Sequence, residues 1–296
     1  MAAGIAEIEA TAVHSVTRLR RFQDYLGWSA SALAFLLLGG AMVWILAIVF
    51  VKGLDSLTPQ VLTHVTEGTG GGLLNAIEGT MVLALGGVLL AVPPGLACGI
   101  YLAEFDYGRL APVIRFLIDV LVGVPSIVIG YFGYVTMVVM LGWQFSAAAG
   151  SVALAIISLP YISRTTEMAL REVPRGLREA AYALGATDRA VVLGISVPAA
   201  LPGILTGILL ALAISVGETA PLLYTAGWSS YLWNGHLIKE PIGYLTYVIW
   251  AFITEPFASA QALAYAAALF VTLFVLVISV LSRLLLDQSV GWRGRS

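Results

Sequence analysis

Few side chains in this chain of 296 residues are of a type that does covalent chemistry, and none is spaced for it. A nucleotide-binding P-loop needs glycine, lysine and Ser/Thr in succession. Lys52 is followed by Gly53 and Lys239 by Glu240, so neither lysine fits. His14, His64 and His236 are far apart, with no HExxH pattern and no Gly-x-Ser-x-Gly elbow. Cys98 stands alone, which excludes a disulfide framework and any multi-cysteine metal centre. What remains is a sparse set of polar groups in apolar surroundings: Ser126 after Pro125, Arg164 beside Thr165 and Thr166, Glu218 with Thr219, and the isolated acids Glu78 and Asp119. In hydrocarbon such groups pair with one another or mark a path for ions. A second set, Glu179-Ala180-Ala181 with Gly185, Ile195 and Pro198, runs from a charged stretch into an apolar one and holds no catalytic pairing.

The elements that position these residues are membrane helices. Hydrophobic residues make up 59% of the chain and charged residues 11%, with a mean hydropathy of +0.94. A soluble domain carries about a quarter charged residues, so a water-soluble globule is excluded. Acids and bases nearly cancel, giving a net charge of −2, so no basic surface points to nucleic acid. The apolar residues fall in long blocks, and helices are the spanning structure that satisfies its own backbone in lipid. About 20 apolar residues cross the hydrocarbon. Six stretches qualify: Trp28–Val51, Leu73–Ala103 with a bend expected at Pro93–Pro94, Val113–Leu141, Ser146–Ser163, Gly203–Tyr224 and Gln261–Leu286. The third and fourth, joined by a turn at Gly142–Gln144, form an antiparallel hairpin. The expected fold is an all-α polytopic membrane protein.

Threading six spans in order puts 13 of the 15 bases on one side, leaving only Lys52 and Lys239 on the other. The 13 include Arg18, Arg20 and Arg21 before the first span, Arg109 and Arg115 before the third, and Arg293 and Arg295 near the end. The positive-inside rule places that side in the cytoplasm, both termini included. The apolar block after Arg21 is too long for a cleavable signal peptide and reads as a retained anchor. The expected organisation is a cytoplasmic segment 1–27, a first span 28–51, an external loop 52–72, a membrane domain 73–286 with a cytoplasmic loop 164–202, and a tail 287–296.

Two loops are long. In the cytoplasmic one, the helix formers from Gly176 to Leu184 predict a short helix after Pro174, and Gly185 stops it. Thr187 or Asp188 caps a second helix. By composition alone this is either an amphipathic loop on the lipid surface or a projecting docking element. The external segment Ala226–Ala260, rich in Trp228, Tyr231, Trp233, Tyr244, Tyr247, Trp250 and Phe257, reads as an interfacial aromatic belt or as an outer gate built on a half-helix. Gly70–Gly72 reads as a flexible linker.

The spacing Glu179-Ala180-Ala181-x3-Gly185-x9-Ile195-x-Val197-Pro198 resembles the EAA motif of binding-protein-dependent ABC importer permeases, with Val197 where the motif has leucine. The strings Gly99–Phe105, Val124–Gly130, Ser163–Leu170, Leu177–Thr187 and Gly217–Leu223 are similar to the phosphate-importer permease family, and the RTTE and ETAPLL segments tilt toward its PstA branch. The similarity covers the chain from about Leu73 onward. It implies a type I importer core with a coupling helix and a bacterial or archaeal plasma-membrane location. It also implies a sister permease PstC, a dimer of the ATPase PstB that holds ATP and Mg, and the phosphate-binding protein PstS. No cofactor is expected on this chain. Small Ala180 and Ala181 allow close approach to an ATPase, Glu179 offers a carboxylate to a base on it, and Gly185 makes the helix protrude.

Phosphate carries roughly one to two negative charges near neutral pH, so the resemblance implies a path with hydrogen-bond donors. Arg164 is either an anion contact at the inner mouth or an arginine reaching for lipid headgroups. Ser126 and Thr219 either donate to the anion or bond their own helices. Glu218 pairs with a base on the sister permease or with backbone donors, Asp119 pairs with Arg115 four residues earlier, and Glu78 reaches the interface. Relatives carry an arginine four residues before the glutamate of the GET string, where this chain has Ile214. The rival readings are a permease for molybdate or sulfate, an ion-coupled carrier using Glu78, Asp119 and Glu218 as relay acids, and a scaffold with no path.

Overall fold

The computed structural model describes residues 2–105 and 108–293, with side chains placed for 20–105 and 108–284. Arg295 and the side chains of Arg18 and Arg293 lie outside the described residues. The chain divides into two compact units, Met1–Val51 and Lys52–Ser296. The first is most of a single helix, α1 (Ala2–Asp55), whose residues 20–55 are long and apolar enough to span a bilayer.

The second unit is built on a helix pair. Helix α2 (Pro59–Thr63) and a small antiparallel hairpin, β1 (Thr66–Glu67) with β2 (Gly70–Gly71), lead into α3 (Leu74–Glu104). Thr66 faces Gly71 and Glu67 faces Gly70 in the hairpin. The glycine run is thus fixed rather than flexible. A Cβ on Gly71, at φ +80°, would lie 2.5 Å from the Val65 carbonyl oxygen, and one on Gly72 would lie 2.6 Å from that of Gln60. Asn75 locks the hairpin by accepting the Thr66 N–H at 3.0 Å and donating to the Ser229 carbonyl at 2.9 Å.

Helix α3 runs through Pro93 and Pro94 without a break and packs lengthwise on α6 (Ala147–Arg171). Gly87, Ala91, Gly95 and Gly99 recur every fourth residue, so they share one face. A Cβ at Gly87 would sit 2.7 Å from Leu154 Cβ, at Gly95 2.8 Å from Ile162 Cγ2, and at Gly99 2.5 Å from Thr166 Cβ. Small residues at this spacing let two membrane helices approach closely. Helix α6 outruns its expected end at Ser163 by two turns, so Arg164 lies within the helix and not at its exit.

The third expected span is not one helix. Helix α4 (Leu110–Gly123) meets α5 (Ser126–Gly133), continued by a π-helical segment Tyr134–Met140, at a bend of 96°. Pro125 is the cause, because proline pushes the preceding residue out of the helical region: Val124 is extended, with ψ 125°. The turn at Gly142–Gln144 is present, with φ +66° and +55°. Helix α5 then packs mainly on α10 (Ala220–Thr225), where a Cβ on Gly130 would lie 2.5 Å from Pro221 Cα.

The fifth expected span also changes at both ends. Helix α7 (Arg175–Ala183) is followed by α8 (Asp188–Val191), a π-helical turn Val192–Ser196 and α9 (Val197–Gly217), which together form one span-length helix, Asp188–Gly217. That helix stops at Glu218–Thr219, and α10 restarts beyond the break. Helix α9 is held to α6 by a buried Ser158–Ser215 hydroxyl pair at 2.9 Å and by Gly203 and Gly207, which let Ala169 and Thr165 approach. Helices α11 (Leu245–Phe252) and α12 (Ala258–Arg293) complete the unit, enclosing Leu73, Leu245, Val248, Leu263 and Ala267. Among the described residues, five helices are long and apolar enough to cross a membrane, or six if the bent pair counts as one span.

Candidate functional site

Helix α7 is amphipathic and forms at one end of the membrane unit, where α3 and α6 finish. Pro174 starts it and Gly185, at φ +80°, stops it. The Gly185 N–H bonds the Tyr182 carbonyl at 2.9 Å and the Ala186 N–H bonds that of Ala181 at 3.1 Å. These two bonds are the paired C-terminal closure that a left-handed glycine makes possible. The Thr187 hydroxyl then accepts the Ala190 N–H at 3.4 Å, capping the next helix. Glu179, Ala180, Tyr182 and Leu184 face outward, Leu184 being 89% exposed, whereas Ala181 is buried on the inner face. Ile195 is half-buried and Pro198 exposed, both in the long helix that follows. The arrangement is a closed knob whose outward face carries Ala180, Tyr182, Leu184 and the Glu179 carboxylate.

The polar pathway candidates fall in two places. Ser126, the first residue of α5, stands beside the Glu218 carboxylate, so the two helix breaks lie next to each other. The Glu218 backbone carbonyl accepts the Thr246 hydroxyl of α11 at 2.8 Å. Thr219 stands at the start of α10, where its backbone carbonyl accepts the Leu222 and Leu223 N–H groups and its side chain makes no capping bond. Interrupted helices of this kind are where membrane transporters place polar backbone and side chains.

Arg164 lies elsewhere, in a cavity of about 250 Å³ between α4 and α6 that also holds Arg115, Asp119, Glu167 and Arg171. Here one expectation fails. Asp119 pairs with Arg164 across the two helices and not with Arg115. Arg115 instead shares the Glu167 carboxylate with Arg171, each at 3.0 Å, and both arginines reach the Leu102 carbonyl at 3.2 Å. The bend at Pro125 and the extension of α6 set this exchange, because they bring residues 115–119 alongside 164–171. Glu78 does not simply reach outward either: its carboxylate accepts the Trp233 backbone N–H at 3.2 Å.

At the opposite end from α7, segment 226–244 packs its aromatics on those of α11. Trp228 stacks on Tyr247 at 4.5 Å between ring centroids, and Tyr244 is buried. Tyr231, Trp250 and Phe257 remain exposed. The segment leads into the short helix α11. Asn234 and His236 both bond the Glu240 carboxylate, and these two bonds, that from His236 first, hold its pKa below the ordinary carboxylate value. Residues missed at the sequence level include Arg178, Glu104 and Thr246. A helical repeat could have found Arg178, since it lies three residues before Ala181 on the buried face of α7.

A knob of this shape on a bundle of interrupted spans defines a membrane subunit of a transport system. Residues 95–290 match the family described as binding-protein-dependent transport system inner membrane component, and the chain belongs to that family. It is 44% identical over 281 residues to the phosphate transport system permease protein PstA 2 of Mycobacterium bovis, covering 95% of this chain and 92% of the relative. It is 45% identical over 250 residues to the phosphate transport system permease protein PstA of Yersinia pestis, covering 82% and 83%. Among solved structures, an inward facing conformation of the MetNI methionine ABC transporter superposes with a TM-score of 0.62 at 20% identity, covering 73% of this chain and 95% of that one. That likeness is one of fold.

Proposed function

We propose that this chain is a permease subunit of an ATP-driven importer of inorganic phosphate. The observation that carries the proposal is the 44% identity along 95% of the chain to a phosphate transport system permease. The geometry supports the same reading. Helix α7 presents Glu179 and Ala180 outward on a closed, glycine-terminated turn, which suits docking into a groove on an ATPase. Hydrolysis of ATP then belongs to that partner, a PstB-type dimer, with a PstC-type permease completing the path and a PstS-type protein delivering phosphate.

In this reading the α7 end faces the cytoplasm. Eight arginines, 109, 115, 164, 171, 175, 178, 189 and 283, fall on that side of the threading, against Lys52 and Lys239 on the other. The protein sits in the plasma membrane with both termini inside. Phosphate passes the Ser126–Glu218 break, and Arg164, paired with Asp119 between α4 and α6, is this chain's own candidate for the cation that Ile214 does not supply.

Two measurements test the proposal. The intact chain, purified with its sister permease, captures the ATPase, and Glu179→Lys or Gly185→Val abolishes capture. Labelled phosphate uptake is displaced by unlabelled phosphate and not by sulfate or molybdate. Transport in liposomes without any ATPase would overturn the reading.

A further inference from the structure

The ends of α3, α6 and the α8–α9 helix converge on one guanidinium. Arg178, next to Glu179 on α7, is 19% exposed, and Glu104, the last residue of α3, is 8% exposed. Arg178 Nη2 donates to Glu104 Oε1 at 2.8 Å and to the Leu170 carbonyl, in the last turn of α6, at 2.7 Å. Its Nε donates to Ser196 Oγ at 3.1 Å, in the π-helical turn that feeds α9. Its Nη1 reaches the Val173 carbonyl at 3.4 Å, on the link into α7. A planar guanidinium holds several directed bonds at once, which a lysine ammonium on a flexible stem does not reproduce.

We infer that Arg178 is the positioning residue through which a displacement of α7 reaches three spans together. The inference rests on α7 being the helix that docks the ATPase. Three observations support it beyond simple anchoring. The outward face of α7 contains none of the acceptors, so docking and transmission use opposite faces of one helix. Each acceptor belongs to a different span or to the link, so rotating α7 loads all of them. The Ser196 contact falls on a π-helical turn, a geometry frequent at functional sites.

Removing Arg178 alone strands a buried carboxylate. The test therefore uses the double variant Arg178→Gln/Glu104→Gln, which removes both charges, beside Arg178→Lys, in the complete importer in proteoliposomes. The double variant is expected to retain the ATPase while phosphate uptake per assembled complex falls by about tenfold or more, the factor that one bond to a charged group corresponds to. ATP consumed per phosphate moved rises in parallel, a readout that mere loss of stability does not shift. Arg178→Lys falls between the double variant and wild type. Uptake per assembled complex within about twofold of wild type, less than loss of one such bond allows, overturns the inference. So does loss of ATPase capture, which would place Arg178 in the docking surface. Glu179→Lys run alongside separates the failures: if it still captures the ATPase, the docking role of α7 is what has failed.

Discussion

Gly185 offers a way to weigh backbone strain against side-chain bulk in ATPase docking. Its φ of +80° is one that L side chains rarely adopt, and a Cβ built there meets no atom within 4 Å. A methyl group therefore costs nothing in packing, and the whole penalty is conformational, about 1–2 kcal/mol for the left-handed region. That penalty falls on the two bonds closing α7, Gly185 N–H to Tyr182 and Ala186 N–H to Ala181. If only the closed turn docks, the affinity of the permease pair for the ATPase drops by the same free energy, roughly 5- to 30-fold. Gly185→Val should be worse, because a β-branched residue tolerates positive φ least. Gly185→Asn should recover most of the affinity although asparagine is larger than alanine, since it visits this region readily. The assay is a binding isotherm of purified ATPase on permease pairs in nanodiscs. An order with asparagine at or below alanine would falsify the reasoning, because bulk and not strain would then govern.

Other outcomes follow from other contacts. Ser126→Ala and Glu218→Ala, which remove one or the other of the polar side chains where the two helix breaks meet, should each lower phosphate uptake, and the double variant should lose no more than the worse single; additive losses would show that the groups act separately. Gly99→Ala forces a Cβ to 2.5 Å from that of Thr166 and 2.7 Å from the Ser163 carbonyl oxygen, so thermal unfolding in detergent should show about 1–3 kcal/mol of destabilisation. At Glu240 the depressed pKa fixes the sign of the pH response: the brace with His236 and Asn234 is fully present above the ordinary value of 4.5 and is lost as pH falls through the lower folded value. Amide exchange across 233–241, corrected for intrinsic rates, should accelerate only in that acid range and should already be fast at pH 7 in Glu240→Gln.

The apolar blocks and the two ends of α7 were legible, because block length, Pro174, Gly185 and Thr187 act locally. The two breaks were not. Val124-Pro125 and Gly217-Glu218 lie inside apolar runs that satisfy a span-length criterion, and hydropathy does not register a change of direction. Pro125 held the signal, yet Pro93 and Pro94 gave the same one, and α3 runs through both. What distinguishes them is packing: α3 continues as one helix along α6, in close contact at Gly87, Gly95 and Gly99, whereas α5 turns to meet Pro221. Ion pairing failed for a related reason. Asp119 has Arg115 one turn away, and only the tertiary bend brings Arg164 within reach.

The glycine and alanine seam between α3 and α6 limits how the permease is able to work. Two helices toothed together at 87, 91, 95 and 99 slide past each other only by lifting backbone off backbone, so they travel as a single beam. Opening and closing must then be absorbed where chain continuity is already interrupted, at 123–126 and 217–220. Second-site suppressors of a jammed transporter should accordingly cluster at those elbows and spare the beam.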